Sequence, residues 1–472
     1  LTNPSGILFA PGASVNVGGL VASSLNIKDS DFLAGKYSFF KDGSSGSVVN
    51  LGNINGGFVA LLGNSVENAG TIVTTKGTTG LAAGDEITLG FDPNGLMAIK
   101  VDKAAYNAQV VNSGVIEADG GTVVLSASAA DALLATVVNN SGTIRARSMV
   151  ERNGEIVIEG GTSGVVENSG TLDVSSSVGT GGSIKILGEY VALKGTSLLD
   201  ASGETGGGVI NVGGGFQGKD PLLQNASAVY VAPDAKIKAD AGAAGDGGKI
   251  VVWSDESTRF LGSLSAKGGS SSGDGGFAEV SGKQFLDFQG TVDLTAQNGR
   301  TGTLLLDPNN ITIRSAVAGG GEVDLTSPFT AGSDNSVVQT SVLATALDGA
   351  DVAVTTGDGG ITVASSIGWF SNKKLTLDAG GSIVINDNVN IQSFDGSLAL
   401  NAGTGITQNT ATPGRLFIGG TTDLISTSGN ILLNSSTNQL VGTVTATASG
   451  GDISIKNART LALGNVNASG GV

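Results

Sequence analysis

Apolar and polar residues alternate along most of this chain in runs of four to six, and glycine closes many of the runs. Ile184 and Ile186, or Val209, Ile210 and Val212, are typical. A period of two sends one set of side chains inward and the other outward, which is the signature of short half-buried strands. Helical periodicity is nearly absent; the best helical candidate is "SASAADALLATVV", Ser126–Val138. The pattern therefore predicts an all-β protein.

The runs repeat. "VENAGTI" begins at Val66, "VNSGVI" at Val111, "VNNSGTI" at Val138 and "VENSGTL" at Val166. The Asn of this phrase falls at Asn68, Asn112, Asn140 and Asn168, and the last two intervals are 28 residues each. A second phrase is a glycine pair followed by a strand-like run, as at Gly120, Gly181, Gly207, Gly247, Gly275, Gly359, Gly380 and Gly450. One such unit cannot bury its apolar face alone, but stacked on its neighbours it adds a rung to a continuous column. This predicts a right-handed parallel β-helix, an elongated solenoid with three short strands per coil. Gly and Asn are expected at the corners to supply positive φ. Asn in equivalent corners is expected to stack as a hydrogen-bonded ladder. A β-sandwich would need hairpins and more aromatics, and a propeller a period of about 40–50 residues.

Composition narrows the class. Glycine is 77 of 472 residues, against a usual ~7%. Aromatics are only 4% of the chain, enough for a thin aliphatic core. There is no Cys and no His, which removes imidazole metal sites and His-dependent nucleophile systems. The formal net charge of −16 argues against nucleic acid and anionic membrane surfaces as partners. The chain opens Leu1-Thr2 without Met, so it is expected to be cut from a longer one. Along its length, residues 1–135 are irregular, with an excursion at Ser30–Gly46 and, within Leu81–Ala105, two or three strands with a turn at Pro93-Asn94-Gly95, extra-helical strands on this reading. Residues 136–313 carry the regular coils, and residues 314–472 continue them less regularly.

"NPSGILFAPGASVNVGGLVASSLNI", Asn3–Ile27, resembles the filamentous haemagglutinin family, the large exoproteins of two-partner secretion. Ser5 stands where that family usually has Asn, and Ala10 where it has Gly. The resemblance continues through "DFLAGKYSF", "LAAGDEITL", "VVNNSGTIRA", "GGKIVVWSDESTRFLGSLSAKGG" and "GRTGTLLLDPNNITI", weakening after about residue 315. It implies a secreted or cell-surface protein of a Gram-negative bacterium, threaded through an outer-membrane transporter. Residues 1–135 would then be a secretion-type domain lacking its first residues. By position, Asn3, Pro4 and Gly6 would belong to the secretion motif, although Asn-Pro-Ser-Gly is also a good β-turn on its own.

The expected function is an adhesin or matrix fibre with no catalysis and no cofactor or metal. Host or matrix glycans and proteins are candidate partners, with Trp369 and Phe370 as candidate glycan-stacking aromatics. Two alternatives stand beside it. One is a filament subunit joining end to end through open strand edges. The other is a polysaccharide-active β-helix enzyme, for which Asp85-Glu86 and Asp255-Glu256 with Arg259 are the nearest carboxylate groupings. Neighbouring strand residues face opposite ways, which weakens both pairs. "GDGG" at Gly245, Gly273 and Gly357 lacks the tandem register of a calcium repeat and reads as turn chemistry.

Overall fold

Among the described residues most rungs are three short strands, each parallel to its counterpart in the next rung. This computed structural model describes all residues except 44–45, 92–95, 131–134, 150–151, 316–335, 410 and 413. The turn at residues 93–95 thus lies outside the described residues. The chain divides into two compact units: Leu1–Trp253 with Ser265–Gly276 and Ala296–Gly299, and Ser254–Leu264 with Phe277–Thr295 and Arg300–Val472. These limits do not coincide with the composition changes at 135 and 313.

In the first unit the rung pattern is clearest from Gln109 onward. Gln109–Asn112, Val115–Glu117 and Thr122–Ala127 form one rung. Thr136–Asn140, Thr143–Arg145 and Glu155–Glu159 form the next, and Val165–Asn168, Thr171–Asp173 and Ser183–Leu187 the one after. The register aligns like with like. Ile72, Ile116, Ile144, Leu172, Leu199 and Ile237 stack in one column, all fully buried. Burying one such aliphatic side chain stabilises the fold by about 1.5–3 kcal/mol, and the column has no need of aromatics.

The second unit uses shorter turns. Ile361, Ile383, Ile406, Ile431 and Ile453 align in one column. Ile367, Ile391 and Leu416 align in another, and Leu377, Leu400, Leu424 and Ala446 in a third. A rung here takes 22 to 25 residues, instead of the 28 that separate Asn112, Asn140 and Asn168.

Two expectations about helices change. Ser126–Val138 is not helical at its ends: Thr122–Ala127 and Thr136–Asn140 are strands, and residues 131–134 are outside the described set. The long helix is instead Thr340–Gly349, burying Leu343, Ala346 and Leu347. It packs against the strands Thr291–Asp293 and Ile367–Trp369, so a helix takes the place of a strand on that face. The excursion at Ser30–Gly46 contains a short helix, Asp29–Leu33, and the strand Tyr37–Phe40.

The role expected of the corner residues also changes. The ladder residues Asn68, Asn112, Asn140 and Asn168 and the glycines two positions later are absent from the positive-φ set. The glycines are required by close approach. A Cβ on Gly70, Gly114, Gly142 or Gly170 would lie 2.0–2.1 Å from the carbonyl oxygen of Gly52, Gly70, Gly114 or Gly142 one rung away. The glycine pairs make a second such column, in which a Cβ on Gly121, Gly182, Gly208 or Gly248 meets the oxygen of Gly77, Gly154, Gly182 or Gly208 at 2.0–2.2 Å. Backbone packing against backbone, not left-handed geometry, selects glycine here.

Candidate functional site

The first residues close into a turn. Gly6 donates its N–H to the carbonyl of Asn3 at 2.9 Å, and Ser5 donates to the Asn3 side-chain oxygen at 3.1 Å. Pro4 supplies the fixed φ that the first turn position favours. Gly6 has φ +104°, and a Cβ there would stand 2.8 Å from the Ser47 carbonyl oxygen. Asn, Pro and Gly are thus each accounted for by this turn. It is fastened beside the strand Leu20–Ser23: the Leu1 backbone nitrogen donates to the Val21 carbonyl at 2.7 Å and the Asn3 N–H to that of Ser23. Asn3 and Pro4 stay exposed, and the backbone need of the turn leaves their outward surface open to a partner.

Beside these coils lies an antiparallel sheet of three strands. Glu86–Phe91 is central, with Met97–Lys103 on one side and Tyr37–Phe40 on the other. It buries Phe39, Ile87, Leu89 and Met97 against Leu25, Ala60, Leu62 and Ala82 of the coils. Phe32, Tyr37, Phe91 and Phe58 then meet edge to face in sequence, with centroids 5.3–6.1 Å apart. They help to line a cavity of about 280 Å³ that opens beside Leu1 and Val21. Part of what sequence reading left as irregular is therefore a second apolar layer. Its aromatics (Phe32, Tyr37, Phe39) are concentrated in a chain otherwise poor in them, which was the available signal.

The Asn column runs through the same unit. Each Asn Nδ2 donates to the Oδ1 of the next: Asn50 to Asn68 and Asn68 to Asn112 at 2.8 Å, Asn112 to Asn140 and Asn140 to Asn168 at 2.7 Å. Asn168 ends the column on the Ser197 hydroxyl at 2.6 Å. All five Asn residues are fully buried. Asn50 was missed because Leu51 replaces the small residue of the phrase; Asn-x-Gly with the right downstream strand would have found it. This column is internal and offers no surface to a ligand.

Outside, charged residues bridge adjacent rungs. Arg145 lies 3.0 Å from Glu117 and 3.1 Å from Asp119, and its bond to Asp119 holds the guanidinium even more firmly charged. Arg147 pairs with Asp173 at 2.7 Å and Lys185 with Glu155 at 2.8 Å. Two members of the charged groupings singled out in the sequence are engaged in similar contacts. Asp85 faces Lys41 at 3.3 Å, while Arg259 is buried and bonded to Asp287 at 3.2 Å. At the "GDGG" turns, Asp246 accepts the Asp274 N–H at 2.7 Å. The two aromatics proposed for glycan stacking separate. Trp369 is only 2% exposed and donates its indole N–H to the Lys373 carbonyl, so it cannot stack on a ligand; Phe370 is 81% exposed. The strand alternation carries Trp369 inward and its neighbour outward.

Stacked parallel rungs with an antiparallel sheet laid over the first of them place the chain in the parallel β-helix class. The family model described as "TPS secretion domain" matches residues 1–186. The crystal structure of the HMW1 secretion domain from Haemophilus influenzae is similar, with 30% sequence identity, a TM-score of 0.56, and coverage of 64% of this chain and 78% of that one. A heme/hemopexin-binding protein of Haemophilus influenzae is 29% identical over 168 residues, 34% of this chain. The match spans 18% of that relative's length. The chain therefore carries a two-partner secretion exoprotein domain.

Proposed function

We propose that this chain is an exported segment of a secreted or surface-displayed exoprotein of a Gram-negative bacterium. A dedicated outer-membrane transporter carries it, and it acts as a fibre in adhesion or biofilm matrix. The observation that carries the reading is the pairing of the fastened Asn3–Gly6 turn with the covering sheet inside the residues that match the secretion-domain model. Lack of Cys suits a chain that passes a pore unfolded, since no disulfide has to wait until afterwards. The segment works by display and binding rather than turnover, a reading supported by the pairing of Asp85 with Lys41 and of Arg259 with Asp287.

Export tests the reading. The chain, placed behind a cleavable signal peptide, is expressed with and without its transporter. Release into the medium or onto the cell surface is expected only with the transporter, and Asn3→Ala is expected to cut release several-fold while the purified variant stays folded. Release independent of the transporter would overturn the reading.

A further inference from the structure

The first unit holds a polar cavity of about 450 Å³, lined by outward strand residues and by the turns that follow them. Small-ligand sites occupy about 300–1,000 Å³. The N–H groups of Ser148, Ser176 and Gly203 donate to the carbonyls of Ser175, Ser202 and Asp240. Arg147, Ser175, Ser202 and Asp240 therefore take equivalent positions on four successive rungs, a span of about 14 Å at about 4.8 Å per rung. Two short serines between a long cation and an acid leave the depression. The turns beside it are tied to one another: Glu204 donates its N–H to Ser176, Gly242 to Gly203 and Ala243 to Glu204, at 2.8–3.0 Å. Such a wall is in place before any ligand arrives. The cations at the cavity are already neutralised, Arg147 by Asp173 at 2.7 Å and Lys238 by Asp200 at 3.4 Å. Asp240 faces Lys267 at 3.8 Å and accepts the Ser265 hydroxyl. Among the described residues the Glu204 carboxylate and the Ser175 and Ser177 hydroxyls have no partner.

We infer that this depression binds an oligosaccharide of amino sugars whose amines are protonated. The open serine hydroxyls match sugar hydroxyls, since each both donates and accepts hydrogen bonds. The Glu204 carboxylate takes an ammonium group in a charge-assisted bond, an ion pair that an acetylated amine cannot form. An acidic glycan would set its carboxylates against Glu204 and against a chain of net charge −16, whereas a cationic one is drawn to both. A bare metal ion does not suit the cavity, because the described residues hold no group of three acidic side chains to surround it. A peptide would anchor through apolar or aromatic side chains, and Ala241 is the one apolar side chain among the lining residues. The inference names a partner class for the displayed segment and rests on that reading.

The test is calorimetric binding of the purified chain, in mildly acidic buffer, to the glucosamine tetrasaccharide, its fully N-acetylated counterpart and tetralysine. Glu204→Gln and Ser175→Phe are measured alongside, with Glu256→Gln, an exposed position outside the cavity, as the control for charge alone. Circular dichroism checks that each variant is folded. The expected result is binding of the amine form about tenfold tighter than of the acetylated form, the size of one charge-assisted hydrogen bond. Glu204→Gln removes that preference, Ser175→Phe fills the floor and abolishes binding of both sugars, and Glu256→Gln changes neither. No binding of either sugar, or a preference that survives Glu204→Gln, would overturn the proposal. So would an equal loss in Glu256→Gln, which would mean diffuse attraction to an acidic chain. Tetralysine bound as tightly as the amino sugar would make the cavity a site for basic peptides instead. Transporter-dependent export of Glu204→Gln is expected to be unchanged, so failure here and failure of the export reading are separate results.

Discussion

At the scale of single residues, the fold depends on two buried columns with different physics. The Asn column exchanges side-chain hydrogen bonds from rung to rung, and the glycine columns let backbone approach backbone. Asn140 both accepts from Asn112 and donates to Asn168, so removing it leaves two buried groups without partners. Asn140→Ala is expected to cost roughly 2–4 kcal/mol, since each orphaned buried group costs about 1–3 kcal/mol. Asn50, at the end of the column, donates to one Asn alone, and its Ala variant is expected to lose about half as much. Denaturant titration of the two variants checks the ratio; equal losses would mean that the column does not act through neighbour bonds. The Asn positions were legible in the sequence because they recur at fixed spacing. The reason for the glycines was not, since both a left-handed corner and a crowded corner select the same residue.

At the scale of elements, alternation located the strands and missed the helix Thr340–Gly349. Its Leu343, Ala346 and Leu347 follow the i, i+3, i+4 pattern, but a single ten-residue amphipathic stretch is easily lost in a chain of Val-, Thr- and Ala-rich strands. The converse error, Ser126–Val138, came from an alanine-rich sequence whose ends tertiary pairing holds as strand. The helix packs between two strand positions of its face, and Leu347 is fully buried there. Leu347→Ala is expected to destabilise the second unit by roughly 2–5 kcal/mol. Leu33→Ala, at a position 84% exposed in the short helix Asp29–Leu33, is expected to stay within about 0.5 kcal/mol of the parent. Thermal unfolding of both variants decides the point, and indifference to Leu347→Ala would remove the helix from the core.

At the scale of the whole molecule, the repeated Asn-x-Gly phrase made the rungs readable, while the covering sheet was not. Its strands Glu86–Phe91 and Met97–Lys103 adjoin in sequence and were readable as strands about a turn, but Tyr37–Phe40 comes well before them, and local pattern carries no information about which distant strands meet. The site reading failed in a similar way at Trp369: rarity identified the aromatic pair, but only the strand phase tells which member faces out. The exported exoprotein reading depends on the parallel rungs themselves. The chain's lack of Cys allows these to be tested without background. Thr143 and Thr171 are register partners on adjacent rungs, and Leu198 is one rung further. Partners on adjacent parallel strands stand about 4.8 Å apart, within disulfide reach, whereas two rungs is about 9.6 Å, beyond it. The deciding measurement is the oxidative cross-link yield of chain recovered outside the cell. Thr143→Cys with Thr171→Cys is predicted to close nearly completely and Thr143→Cys with Leu198→Cys to stay open. Closure of the second pair, or failure of the first in folded protein, would contradict the parallel-rung account.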